Sequence, residues 1–294
     1  MRTQNQEILR MFTNTRYDFQ SIRKAMCNRL GVKADGTAQD VDRLSRRVFR
    51  LEDIERFSEI KDNIIQQEKE MEKLLKSVLK RMPIWNKWLS KVKGIGPSLG
   101  GVILGEFDIH KATTVSKMWQ YGGLNPGLVR GKKMVDKHKY KESMGVIVGE
   151  REYKGKGTKY IVLTDEWVRG DKPTKGFILP YNKFLKACLL GESMLASQFI
   201  RQKTYYANEF YYPYKERLAN SNKLVEHRRK GGKVEILAWR EVSPQHRDMA
   251  AKRYMVKMFL VDLYKNWRKI EGLEVREPYC VEYLGKEHED LAVG

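Results

Sequence analysis

A run of apolar residues at three- and four-residue spacing, followed by a proline, sets the first limit on this chain. Leu44, Val48, Leu51 and Ile54, then Ile64, Met71, Leu74, Leu75, Val78 and Leu79, mark one face of a charged segment from Val41 to Met82; Phe57 and Ile60 are less regular. That period is helical and does not suit a strand, whose side chains alternate. Pro83 lacks the amide that a helix interior needs, so the helix is expected to break there. An earlier stripe, Ile8, Met11, Phe12, Phe19, Ile22, Met26 and Leu30, stops at Gly31, and Ala34-Asp35-Gly36-Thr37 reads as a turn. Residues 1–83 are therefore expected to form a helical hairpin or short coiled-coil arm. With irregular heptads, the arm suits oligomerisation or spacing better than catalysis, and it is the expected route to a homo-oligomer.

Residues 84–294 read as a second domain. Short helices around glycine turns fill 84–124. The texture turns β-like at about 128–176, with Val146-Ile147-Val148 and Tyr160-Ile161-Val162-Leu163 as short runs and Gly155-Lys156-Gly157 as a turn. Helix returns from Pro180 to about Asn222, and residues 231–241 suit a short hairpin or loop. A last amphipathic helix is expected from Ser243, a good N-cap before Pro244, to about Ile270. The fold expected is mainly α: a helical N-terminal arm, a helix-hairpin-helix core and a small β-rich insertion.

Charge narrows the partner. The 294 residues hold 57 Lys+Arg against 37 Asp+Glu, a net charge of +20. A surplus of that size repels itself in a compact fold and points to a polyanion. No stretch approaches the roughly 18 apolar residues of a membrane helix, and Met1 to Arg10 lack the apolar core of a signal peptide. Neither end carries a lipidation pattern, so no membrane partner is expected and the expected location is cytoplasmic, associated with the nucleoid. Cys27, Cys188 and Cys280 are sparse and odd in number, which fits a reducing compartment. With His110, His138, His227, His246 and His288 they give no zinc spacing. No metal and no cofactor is called for.

The most informative segment runs from Leu89 to Leu104 and resembles a helix-hairpin-helix. Leu89 and Val92 are apolar positions of a first helix, Gly94-Ile95-Gly96 is the hairpin, and Gly100 is the small residue where the helices cross. Val102, Ile103 and Leu104 bury the second helix. The glycines permit a turn that aims amides at a phosphate, and the next helix N-terminus adds its dipole. Such a site holds backbone without reading sequence. Lys91, Lys93, Gly94, Ile95, Gly96 and Ser98 are its candidate contacts.

The residues beyond the hairpin extend the likeness. Phe107-Asp108-Ile109 and Val115 to Pro126, including Tyr121-Gly122-Gly123-Leu124-Asn125-Pro126, are similar to the C-terminal half of transposases of the insertion-sequence 110/116/902 family. The resemblance resumes at Thr174-Lys175-Gly176 and at Asn182 to Ala187, and fades in the last helix. It covers about half of the chain between 85 and 270. It implies DNA backbone binding and adds Lys183 and Lys186 as contacts. Two departures count against strand transfer. Family members carry an N-terminal RuvC-like domain with acidic metal ligands, whereas the first 85 residues here read as helices. Their nucleophilic serine comes shortly after the Leu-x-Pro element, where this chain has Gly127-Leu128-Val129-Arg130-Gly131; the nearest hydroxyl is Ser143.

Other basic segments add candidates. Residues 128–160 hold 10 Lys/Arg and 4 Asp/Glu, which brings in Arg130, Lys132 and Lys133. The loop His227 to Lys233 brings in Arg228, Arg229 and Lys230. Six aromatics between Thr204 and Tyr214, flanked by Arg201, Lys203, Lys215 and Arg217, suit base stacking, but core packing is the better reading for most. In the last helix Arg247, Lys252, Lys257, Lys265 and Arg268 fall largely off the apolar stripe. Asp165, Glu166 and Asp171 lack the partners of a two-metal site. A glycosylase is disfavoured: its lysine position holds Ser98, and Asp108 lies too close to the hairpin. The expectation is a DNA-binding protein of a mobile element or phage. The rival readings are a recombinase or structure-specific nuclease on branched DNA and an oligomeric adaptor. Phosphate capture alone does not separate DNA from RNA.

Overall fold

A computed structural model describes residues 3–37, 50–153, 157–228 and 234–277, with the side chain of Arg228 outside that set. It divides into two compact units at Asp108/Ile109. The division comes after the glycine hairpin, which therefore packs with the N-terminal helices.

The first unit is a helical hairpin with a third helix laid on it. Helix α1 (Gln4–Leu30) begins at a reciprocal cap, in which the Gln6 amide donates to the Thr3 hydroxyl (3.3 Å) and the Thr3 amide donates to Gln6 Oε1 (3.0 Å). It packs on α2 (Leu51–Leu79). Leu9, Met26 and Leu30 of α1 are buried, as are Leu75, Val78 and Leu79 of α2. Met11 and Ile22 stay exposed, because the buried face of α1 runs through Gln6, Leu9 and Thr13. The part of the arm from 41 to 49 lies outside the described residues. Helix α2 ends at Leu79, before the expected stop at Met82. Pro83 then opens α3 (Pro83–Lys87) at the first-turn position, where its missing amide costs nothing.

Helix α4 (Pro97–Glu106) is buried from Gly100 onward. A Cβ on Gly101 would lie 2.8 Å from the Thr13 hydroxyl, and one on Gly105 3.0 Å from Arg10 Cγ. The two glycines, one turn apart, let α1 and α2 approach the α4 backbone. The Gln6 side-chain amide donates to Leu104 O (3.0 Å) and Phe107 O (2.8 Å), carbonyls that the end of α4 leaves free.

The second unit gathers helices on one long C-terminal helix and carries two sheets. Strands β1 (Leu128–Asp136), β2 (Val146–Tyr153) and β3 (Gly157–Arg169) form an antiparallel sheet of order β1-β3-β2. The expected insertion is present, with β1 as a strand that its lysines had obscured. At Gly131 the β1 register shifts and the Phe177 ring occupies the place of a side chain, 2.4 Å from a Cβ position. Helices α5 (Val115–Tyr121), α6 (Lys183–Leu190) and α7 (Leu195–Arg201) come in the expected order. A π-turn over Ala207–Tyr211 then runs into α8 (Tyr212–Asn220). Pro213 cannot donate to the turn before it, and the wider turn accommodates its ring. Strands β4 (Leu224–Arg228) and β5 (Val234–Ala238) pair as a hairpin that begins earlier than the expected 231–241, so only its second strand falls in that range.

Helix α9 (Pro244–Ile270) starts where expected: the Ser243 hydroxyl accepts the His246 amide at 3.3 Å. Its buried Met255, Val256, Phe259, Leu260, Leu263, Tyr264 and Trp267 share a core with Leu185, Leu189, Leu195 and Phe199. Arg268 corrects the reading of this helix. It is buried, and its guanidinium donates to Ile109 O (3.0 Å) and Ala112 O (3.1 Å). The rest of the expected basic face is engaged too. Arg247 donates to Val242 O (2.7 Å), Lys252 pairs with Asp248 (2.8 Å), Lys265 pairs with Glu277 (2.8 Å), and Lys257 sits 5.0 Å over the Trp119 ring. No described helix is long and apolar enough to cross a membrane.

Candidate nucleic-acid interface

In the first unit the turn before α4 is open. Leu89 is fully buried in a single 3-10 turn (Leu89–Lys91), so the element before the hairpin is shorter than the expected helix. The Ile95 amide donates to Val92 O (3.1 Å), closing a turn over Lys93 and Gly94. Gly94 takes φ +94°, where any side chain is strained. Ile95 is buried and pins the turn, whereas Gly96 is exposed and extended, with nothing within 4 Å of a Cβ position. Pro97 has no amide. The Gly100 amide donates to Gly96 O (2.9 Å), while those of Gly96, Ser98 and Leu99 have no partner among the described residues. Lys91 and Lys93 are exposed and make no ion pair among the described residues. Behind the turn, Trp85 crosses α4 at Gly100, where a Cβ would come 2.3 Å from its ring. The turn thus leaves three amides without a partner among the described residues, close in the chain to two exposed lysines and backed by buried Leu89 and Ile95.

The remaining expected contacts belong to the second unit and differ in availability. Arg130 pairs with Asp165, and Lys133 with Glu166, across the β1–β3 ladder. Asp165 and Glu166 therefore neutralise part of the insertion's basic charge. Lys133 also lies 4.5 Å over the Phe177 ring. Lys132 and Lys183 are exposed. Lys186 is half-buried, donates to Asp171 O and sits 4.5 Å over the Tyr181 ring. Burial holds its ammonium below the usual lysine range, against the pull of the Asp171 charge. The strand β4 reaches Arg228; its side chain, with Arg229 and Lys230, lies outside the described residues.

The aromatic segment divides. Tyr206 is buried, stacks on Phe199 at 5.2 Å and donates to Asp262 (2.8 Å). Burial first, then Asp262, raises its phenol, so it remains a donor. Tyr211 is also buried and donates to Asp248. Tyr205 and Tyr212 are the exposed pair, at 62% and 42%. Ser143 is exposed in a 3-10 turn beside a groove of about 600 Å³ that Lys133, Lys139, Asp165 and Glu166 also line. Its hydroxyl bonds to no base among the described residues. No group of three or more His, Cys, Asp and Glu is placed to hold a metal among the described residues.

Sequence reasoning missed Arg169 and Arg253, which flank the buried Asp171, and Lys172 beside it in the chain. The one available signal was an arginine near the apolar stripe of α9, with no acid four residues away to pair it. No protein-family model, curated protein or solved structure matches this chain.

Proposed function

We propose that this protein binds nucleic acid, DNA first, by gripping the phosphate backbone through a helix-hairpin-helix at residues 94–98. The carrying observation is the open turn at Gly96. Three unpartnered amides, an empty Cβ position and the exposed Lys91 and Lys93 suit close approach of a phosphate. The net charge of +20 supports a polyanionic partner and contributes to an attraction that salt weakens. The likeness of residues 89–126 to transposases of the 110/116/902 family supports an origin in a mobile element or phage, without strand transfer. Self-association through α2, which leaves Leu51 and Ile60 exposed, is the accompanying proposal. Light scattering of the full chain tests it.

Gel shifts on duplex, single-stranded, forked and four-way DNA across a salt series test the binding. Gly96→Ala keeps the allowed backbone (φ −89°) and meets no neighbour, so the variant should fold as the parent and bind about tenfold more weakly. Normal binding by that variant, or no binding to any substrate at low salt, overturns the reading. Nicking of the forked or four-way substrate in magnesium would move the assignment to a nuclease or recombinase.

A further inference from the structure

The second unit contains a cationic cluster that its own acid does not balance. Asp171 sits in the turn after β3 with its side chain 1% exposed. Arg169 Nε donates to its carboxylate at 3.0 Å, and the nearest Arg253 nitrogen stands off at 3.7 Å. Lys186 donates to its main-chain oxygen, and Lys172 is next to it in the chain. Two arginines thus flank one carboxylate, and Lys186 and Lys172 add positive charge beside it.

Arg253 is the decisive group. Its side chain is 28% exposed, and its Nε is fully buried without a partner. A guanidinium offers five N–H donors in a fixed fork, and none makes a hydrogen bond among the described residues. Buried donors without acceptors are costly, and an unbalanced group of cations is costly too. A planar fork with unused donors matches the paired oxygens of a phosphate. Lys186, held over Tyr181, and Lys172 supply further positive charge at the same place.

We infer that Arg253, with Arg169, Lys172 and Lys186 around Asp171, forms a phosphate-binding site that takes a phosphodiester of the bound nucleic acid. This rests on the nucleic-acid reading but not on the hairpin, which belongs to the other unit. Asp171 acts as the positioning residue that holds Arg169 and leaves the Arg253 fork directed to a ligand.

The test uses the full chain, Arg253→Met and Asp171→Asn, with inorganic phosphate alone and a DNA oligonucleotide as separate probes. Phosphate, against chloride at equal ionic strength, should raise the melting temperature of the parent and not that of Arg253→Met. Asp171→Asn, with one acid fewer, should gain more from phosphate than the parent does. Arg253→Met should bind the oligonucleotide about tenfold more weakly, and the slope of log affinity against log salt should fall by about 1. Its melting temperature in chloride should match or exceed that of the parent, which shows that the variant is folded. Phosphate protection with unchanged oligonucleotide binding would overturn the backbone assignment in favour of a free phosphate or nucleotide. Oligonucleotide binding by the parent with no effect of Arg253→Met in either arm would overturn the site and leave the nucleic-acid reading standing. Phosphate protection with no oligonucleotide binding by the parent would overturn that reading and the backbone assignment together.

Discussion

Two buried carboxylates, one in each unit, are surrounded by cations in opposite ways. Glu68 on α2 is held by Arg16 Nη2 at 2.9 Å and Arg23 Nε at 2.7 Å, both from α1, with all three side chains under 20% exposed. Asp171 has one contact as close, Arg169 at 3.0 Å, while Arg253 stays at 3.7 Å and Lys186 bonds only to the main chain. The first arrangement puts one arginine on each oxygen of its acid and joins two long helices, although Arg16 Nε stays without a partner. In the second, no nitrogen of the Arg253 fork comes closer to the acid than 3.7 Å. Position in the sequence says nothing of this difference; distance does. Where partners close on an acid, the charges serve the fold, and where they stand back in excess, they are available to a ligand.

The largest effect should come from the first node. Glu68→Gln keeps the shape and leaves two buried guanidinium groups without a counter-charge. Breaking a buried ion pair in this way costs about 3–5 kcal/mol. Urea unfolding should show a loss of about 3 kcal/mol, the same in chloride and in phosphate. Recovery in phosphate would break the comparison, since Glu68 would then also head an anion site.

Asp171→Asn should cost less, about 2 kcal/mol in chloride, because Arg169 and Lys172 can turn toward water. Here phosphate should recover at least half of the loss. The same unfolding experiment in both salts reads the two variants side by side. Equal losses in both salts would make Asp171 a second fold-fixing acid.

Much of this fold was legible in the sequence because its strongest signals are local. The Ser243-Pro244 start of α9, the glycine turn at 94–96 and the alternation near 146–163 each depend on neighbours a few residues away. Strand β1 was hidden because Arg130, Lys132 and Lys133 mask its period, and its pairing with β3 spans about thirty residues. Arg268 looked like a surface cation, yet carbonyls 156 and 159 residues away receive its donors. The Asp171 node is non-local in the same sense. It joins the end of β3, α6 and α9, and no spacing rule connects 169, 186 and 253.

A third prediction sharpens the contrast inside the first unit. Gly100→Ala puts a methyl 2.3 Å from the Trp85 ring, so that ring must be displaced. Overpacking of this kind costs about 1–3 kcal/mol, and about 1.5 kcal/mol is expected from thermal or urea unfolding. Gly96→Ala, four residues earlier, should stay within about 0.5 kcal/mol of the parent. If both variants were equally destabilised, the turn at Gly96 would be part of the packed base, and its openness would no longer support a ligand.

The smallest effect returns to the cationic cluster and concerns pH. His246 lies two turns before Arg253 on α9, with Nδ1 3.0 Å from Nδ1 of His227 on β4 and the Trp239 ring 5.3 Å away. Burial, then His227, then Arg253 and Lys172 hold its imidazole below the ordinary value of 6.5. A depressed histidine binds fewer protons in the folded state than in the unfolded chain. Stability from this group is therefore full above pH 6.5 and is lost as pH falls through 6.5 toward the folded value. Arg253→Met removes one of the cations that act on the ring, so the variant should lose less stability than the parent between pH 7 and pH 5. Phosphate bound beside Arg253 should reduce the acid sensitivity of the parent in the same direction. Melting curves at pH 7, 6 and 5 in chloride and in phosphate measure both changes. Parallel pH profiles for parent and variant would mean that Arg253 does not act on His246 and that the cluster ends at Asp171. A flatter profile in the variant, matched by phosphate in the parent, would extend the charged site to the histidine pair at the start of α9.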